Sequence, residues 1–478
     1  MKRPEQIDEM VEYRKDHLNP MMSISYNPLP IYIKKSEGQY FYDQNDRKLL
    51  DCINNVSHVG HCNPYYVERI SKQFGILNTN SRFLYDVLNN ATEKLLSLFP
   101  PELCVVTWAN SGSEANDLAI QMARIHTGNE GIVCLDGSYH GHTELTMKVS
   151  PYKWNKNYKK PKEVIIAKSP CTYRGEYHDK ENSSELYAKD LRKQLLRKPK
   201  VACFIAESMQ SCGGQVIPNQ DYLKEIYQVI NEKGGVCIAD EVQTGMGRLG
   251  SHFWAFEYYG VIPDIVTVGK ALGNGYPVSA VICTKKIAES FAKRGIEYFN
   301  TYGANPIACT AAESVIDIIR NDKLQENARE VGAYLNGKFQ DLLRFSQVGD
   351  IRGMGFFQGI DVVESKESRK PDPKMALRIR QEVRQRGVLI SVDGPYHNVL
   401  KFKPPMVFNK ENADTLIETL TSVLEMIAAE DTNRENGNGV HEKVNGVHHP
   451  EEKVNGVHHP EENGVNGFHK EIEASAQH

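Results

Sequence analysis

The chain lacks a Cys-x-x-Cys pair, a strong basic patch, and any apolar run long enough to cross a membrane. Its ten cysteines are scattered, and several (Cys203, Cys237, Cys283) sit inside apolar runs, where a thiol behaves as a small hydrophobe. That usage fits a reducing compartment rather than a disulfide framework. The net charge is -4, which excludes nucleic acid as an expected partner. The first residues contain no apolar signal core, so secretion is not expected, and the early acids Glu5, Asp8 and Glu9 argue against a mitochondrial transit peptide. The expectation is a cytoplasmic protein, with the mitochondrion as the alternative, and no membrane or metal partner. What is present is ordinary for a globular protein: 25% charged and 40% apolar residues. A chain of 478 residues is long enough for two or three domains.

Two regimes divide the chain. From residue 431 the composition is polar and repetitive, and Glu442–Glu451 recurs over 452–461. Seven of the sixteen histidines lie there. Such a segment buries too little apolar surface to offset its ordering entropy, so disorder is expected over 431–478. Before it, short apolar runs alternate with amphipathic stretches. The runs 104–108, 132–135, 201–206, 236–239, 265–268 and 278–283 read as buried strands. Residues 114–124 read as a helix, with Gly128 to end it. This alternation predicts an α/β fold whose mainly parallel sheet is covered by helices on both faces. The expected large domain spans 61–324. A smaller α+β domain follows over 325–430, with a long helix over 324–342 and short strands near 388–391 and 399–402. Residues 1–60, with extended pieces at 31–34 and 39–43, are expected to join it.

Ligands of such folds bind at the carboxyl ends of the strands. Three ionisable residues fall there: Glu207, Asp240 and Lys270. Lys270 ends an apolar run and is followed by Ala271, Leu272 and Gly273. A lysine able to form a Schiff base, together with an acid able to hold a pyridinium nitrogen, is the chemistry of pyridoxal phosphate. Asn110–Asn116 follows a strand and opens a helix. There Gly112 permits close approach and Ser113 offers a hydroxyl, in a turn whose free N–H groups suit an anion; Ser113 can equally be the plain cap of that helix. Tyr139 offers a flat face to a cofactor ring. Val242 is placed to pack on that ring and Gln243 to reach its hydroxyl. Thr301, in a second small-residue turn before a helix, is a further phosphate ligand candidate.

In this order the motifs resemble the class III, ornithine-aminotransferase-like group of fold-type I pyridoxal-phosphate enzymes, over residues ~20–428. The resemblance implies Gly112 and Ser113 on the cofactor phosphate, Tyr139 on the ring, Glu207 near the substrate, Asp240 on the ring nitrogen, Gln243 on the ring oxygen and Lys270 as the Schiff-base lysine. It also implies a homodimer, possibly a tetramer, with Thr301 reaching the neighbouring subunit's phosphate.

One departure bears on the substrate. Many aminotransferases of the group carry an arginine before an aromatic-x-Pro-Pro run and grip a substrate carboxylate with it. Here the run is Lys401-Phe402-Lys403-Pro404-Pro405, and a lysine cannot make that bidentate fork. With 78–82, 139–142, 206–214 and 394–395, this looks like the phospho-lyase branch of the group. The implied reaction eliminates phosphate from a phosphorylated amine, phosphoethanolamine giving acetaldehyde, ammonia and phosphate, with Arg82, Lys401 and Lys403 as candidates to hold the phosphate. For Lys403 the favoured expectation is a solvated strand charge, since lysines are mostly exposed. The rivals are an ω-aminotransferase passing its amino group to pyruvate or glyoxylate, and a non-catalytic interaction protein on the same fold.

Overall fold

The computed structural model describes residues 5–26, 29–196 and 200–435. The fold is α/β, organised around a seven-stranded sheet. Its order is Leu103–Ala109, Ser279–Thr284, Ile265–Val268, Val236–Asp240, Val201–Ala206, Gly131–Leu135 and Val164–Ala167. All are parallel save Ser279–Thr284, which runs antiparallel to both neighbours. The connection 269–278 is too short for a parallel crossover, which needs a dozen or more residues, so the chain doubles back. Every residue of the three strands Gly131–Leu135, Val201–Ala206 and Val236–Asp240 is buried. Buried on both faces, they carry unbroken apolar runs instead of alternation. The edge strand Val164–Ala167, four residues between Pro161 and Ser169-Pro170, is not among the runs expected as strands.

Helix Gly112–Thr127 packs across this sheet. Its N-cap is Ser111, in a capping box with Glu114, and not Ser113. Gly128, at φ +67°, ends it in the left-handed conformation. Ser113 is thereby released from capping. Helix Pro306–Asn321 lies buried against helices Pro64–Phe74 and Asp86–Leu96.

Two four-stranded sheets complete the fold. Strands Ile33–Glu37, Tyr40–Asp43 and Lys48–Asp51 form an antiparallel meander, and Val388–Leu389 adds to it in parallel. Strands Val348–Met354, Phe357–Val362, Val399–Phe402 and Ser391–Asp393 form the other. The stretch expected as one strand over 388–391 is thus divided between two sheets. Ile390 sits at the division: the Tyr26 hydroxyl donates to its carbonyl at 2.6 Å and accepts from its N–H at 3.0 Å. Helix Leu324–Gln340 ends in a short 3-10 turn, Asp341–Arg344, and packs on the last helix, Lys410–Glu435. That helix continues past residue 430, the expected start of the tail. The histidine-rich repeat lies outside the described residues. Among the described residues no helix is long and apolar enough to cross a membrane.

Candidate active site

The carboxyl ends of the parallel strands and the start of Ser279–Thr284 enclose a cavity of about 380 Å³. Gly112, Ser113, Tyr139, Glu207, Asp240, Val242, Gln243 and Lys270 all line it. Arg82, Thr301, Lys401 and Lys403 do not.

Asp240 ends its strand and is 2% exposed. A buried carboxylate needs donors, and it has three: Asn116 Nδ2 (2.8 Å) and His140 Nδ1 (2.7 Å) on Oδ2, and the Val242 N–H (3.1 Å) on Oδ1. Asn116 is itself oriented, donating also to the His140 carbonyl and accepting from the Thr267 hydroxyl at 2.6 Å. His140 Nε2 is buried with no protein partner. Sequence reasoning assigned no role to Asn116 or His140. The available signal was a polar residue on the apolar face of an amphipathic helix, Asn116 between Ala115 and Ala119. The neighbouring Glu241 points the other way, accepting from Ser208, Thr244 and the Ala255 and Phe256 N–H groups.

Lys270 follows extended Gly269 and has φ +37°, a backbone conformation rarely adopted by a residue with a side chain. Strain of this kind costs on the order of 1–3 kcal/mol and clusters at functional sites. Across the cavity mouth a Cβ on Gly112 would lie 3.0 Å from the Val242 methyls, and a Cβ on Gly141 would lie 2.4 Å from Ser113 Oγ. Ser113 Oγ accepts from the His142 N–H at 3.1 Å, which leaves its own hydrogen to donate into the turn. The cradle of small residues, the helix N-terminus and the acid behind it fit an anion joined to a flat, protonated ring.

Glu207 is buried, and accepts from the Ser211 N–H at 2.9 Å and Gln243 Nε2 at 3.3 Å. Burial raises its pKa to about 7; the Lys403 ammonium opposes that rise, and Asp240 adds to it. Lys403 is not a solvated strand charge. It lies one residue past strand Val399–Phe402, is fully buried, and donates to Ser211 Oγ and, at 3.4 Å, to Gln243 Oε1. Lys401, two residues earlier, is ion-paired with Asp393, whose other oxygen accepts from the Tyr152 hydroxyl. Burial works against the Lys401 ammonium, yet Asp393, Cys212 and Glu207 together outweigh it and hold its pKa above the ordinary lysine value. Lys153 lies over the Tyr139 and Tyr152 rings at 5.7 and 5.1 Å. Arg82 is on the surface, stacked 3.8 Å from the Phe299 ring and paired with Glu297. Thr301 is exposed close by.

A family model described as aminotransferase class-III matches residues 21–424. A Drosophila melanogaster protein named alanine–glyoxylate aminotransferase 2-like is 44% identical, covering 87% of this chain and 88% of its own. A Caenorhabditis elegans protein named ethanolamine-phosphate phospho-lyase homolog 1 is 42% identical, covering 87% of this chain and 92% of its own. Among solved structures, a phospholyase from Arthrobacter in complex with phosphoethanolamine superposes with a TM-score of 0.83 at 33% identity, covering 87% of this chain and 99% of the other.

Proposed function

The chain belongs to the class III aminotransferase family, whose cofactor is pyridoxal phosphate, and within that family we propose that it is a phospho-lyase that eliminates phosphate from phosphoethanolamine to give acetaldehyde, ammonia and phosphate. The observation that carries this reading is Lys401. Where a carboxylate-gripping guanidinium is expected, this chain has an ammonium already committed to Asp393. An ammonium is a point charge and lacks the fork that fixes a carboxylate. An amino-acid donor therefore loses its docking group, while Lys153, over the ring of the cavity residue Tyr139, is a cation for the substrate phosphate. The likeness to the phosphoethanolamine-bound phospholyase and to the nematode homologue supports the same substrate.

When bound, pyridoxal phosphate supplies an aldehyde that captures an amine and a ring that accepts electrons from the adjacent carbon. The chain's residues do the rest. The N-terminal N–H groups of helix Gly112–Thr127 and the Ser113 hydroxyl would hold the cofactor phosphate. Tyr139 and Val242 would flank the ring. Asp240, held by Asn116 and His140, would keep the ring nitrogen protonated. Lys270 would carry the aldehyde and, once free, would take at Nζ the proton from the substrate carbon that bears nitrogen. Phosphate would leave from the next carbon, and water would hydrolyse the remaining two-carbon enamine to acetaldehyde and ammonia.

Arg82 and Thr301 do not reach this chain's own cavity. They sit on a face with exposed Phe83 (62%), Leu84 (102%) and Tyr302 (71%), an apolar patch suited to a second copy of the chain. A homodimer formed there would bring Thr301 to the neighbouring cavity, as the family resemblance implies.

The test is to mix the cofactor-loaded protein with phosphoethanolamine, without any keto acid, and to assay phosphate and acetaldehyde together. Stoichiometric release of both is expected, with loss of turnover by a factor of at least about 10²–10⁴ in Lys270→Ala. No release, combined with amino transfer to pyruvate or glyoxylate, refutes the lyase and establishes the aminotransferase that the Drosophila relative's name describes.

A further inference from the structure

Lys403 is a buried amine that the mechanism above does not use. Burial, then the Lys401 charge, pulls its pKa well below the ordinary lysine value, and Glu207 opposes that fall. It does not line the cavity, yet it touches Gln243, which does, and Ser211, which does not. Its ammonium donates to Ser211 Oγ and to Gln243 Oε1, and lies 4.6 Å from the centre of the Phe357 ring. Ser211 gives its N–H to Glu207, and Gln243 gives its Nε2 hydrogen to the other oxygen of the same carboxylate. Gln243 Oε1 receives a second donor, Asn55 Nδ2, at 3.2 Å. The loop is closed: Lys403, Ser211, Glu207 and Gln243 form a ring of hydrogen bonds in which the carboxylate only accepts.

We propose that Lys403 is a positioning residue of the active site, which supports the carboxylate form of Glu207 through Ser211 and Gln243 and fixes the orientation of the Gln243 amide, and so sets the hydrogen-bond polarity of the cavity wall. The argument is one of donor counting. With Glu207 ionised, Gln243 must turn its nitrogen toward Glu207 and its oxygen toward Lys403 and Asn55. Without Lys403, which opposes the rise, a carboxyl already lifted by burial takes up a proton more readily. The protonated acid becomes a donor, and Gln243 then satisfies it only by turning its oxygen inward. The groups around the pair are Asp240 and His140 on the Glu207 side, and Lys401, Arg248 and Cys212 on the Lys403 side. Replacing Lys403 leaves all five in place.

The inference rests on this cavity being the cofactor site, and it holds whichever amine is turned over. The experiment compares Lys403→Met, which removes charge and donor, with Lys403→Gln, which keeps a donor and loses the charge. In the cofactor-loaded protein, Glu207 is titrated by infrared difference against Glu207→Gln, and the cofactor absorbance is followed over the same pH range. Both Lys403 variants are expected to move the Glu207 midpoint upward by about one pH unit or more. The acid limb of kcat/KM and the absorbance titration move with it. Lys403→Gln is expected to retain a near-normal KM at high pH, where Lys403→Met does not. A uniform activity loss at every pH, with the Glu207 midpoint and the absorbance titration unchanged in either folded variant, overturns the proposal and leaves Lys403 a packing residue. If Lys403→Met does not fold, Lys403→Gln decides the point alone. A failed phosphoethanolamine assay with a shifted Glu207 midpoint refutes the lyase reading and leaves this one standing.

Discussion

Gly141→Ala tests whether the turn around Ser113 is the phosphate cradle. Gly141 has φ +131°, which costs a residue with a side chain on the order of 1–3 kcal/mol. The added methyl would also lie 2.4 Å from Ser113 Oγ and 2.7 Å from Ser113 Cα. Because the second contact is to backbone, no rotamer change relieves it, and overpacking of this kind costs about 1–3 kcal/mol more. The strain is relieved by pushing the start of helix Gly112–Thr127 away from the cavity, breaking the His142 N–H contact that aims the hydroxyl. A lost hydrogen bond to a charged phosphate is worth about 1.5–3 kcal/mol. At about 1.4 kcal/mol per tenfold, the cofactor should bind some 10- to 150-fold more weakly. Equilibrium dialysis of the apoprotein against pyridoxal phosphate measures this directly. Gly137→Ala is the control: φ is +71°, but the nearest atom to its Cβ is 3.6 Å away, so it carries only the left-handed penalty of about 1–2 kcal/mol and should leave cofactor affinity unchanged. A Gly141→Ala protein with wild-type affinity and wild-type Tm refutes the cradle.

Two further outcomes concern stability. His58 is fully buried, donating from Nε2 to the Met246 carbonyl at 2.7 Å and facing the Arg248 guanidinium at Nδ1. Burial, then Arg248, pulls its pKa to about 3, below the unfolded value of about 6.5. The unfolded chain therefore binds the proton first, and stability contributed by neutral His58 is present above about pH 6.5 and lost as pH falls toward 3. At about 1.4 kcal/mol per unit, the loss at pH 5 is about 2 kcal/mol, and denaturant unfolding of His58→Gln against the native chain at pH 7 and 5 should show that difference disappear. Tyr26→Phe leaves both polar groups of Ile390 short of a partner, and should lower stability by about 1–3 kcal/mol in the same assay, with cofactor affinity unaffected. An unchanged midpoint would mean that Tyr26 does not tie the N-terminal segment to 388–391.

How far the chain can be read from its residues depends on the range of the interaction concerned. Strand runs such as 201–206 and 236–239 announce themselves because a strand buried on both faces must be apolar throughout. Lys270 and Asp240 stand out because a strand that ends on an ionisable residue places it where α/β folds bind ligands. The pattern of motifs carries the family, since each turn that lines the cavity is local in sequence.

Tertiary structure decided the rest, wherever partners are distant in sequence. Asp240 and Glu241 are adjacent acids of equal appearance. Which faces the cavity depends on Asn116 and His140 on one side and on Ala255 and Phe256 on the other. Ser111 and Ser113 are equally good caps by type, and the chain path chose Ser111 because Ser113 Oγ receives the His142 N–H. Lys401 and Lys403 are two residues apart in sequence and read alike. Folding gave one to Asp393 and sealed the other behind Glu207 and Gln243. Composition determines that a lysine carries a charge; only the packed structure supplies the counter-charge and the exclusion of water that decide what that charge does.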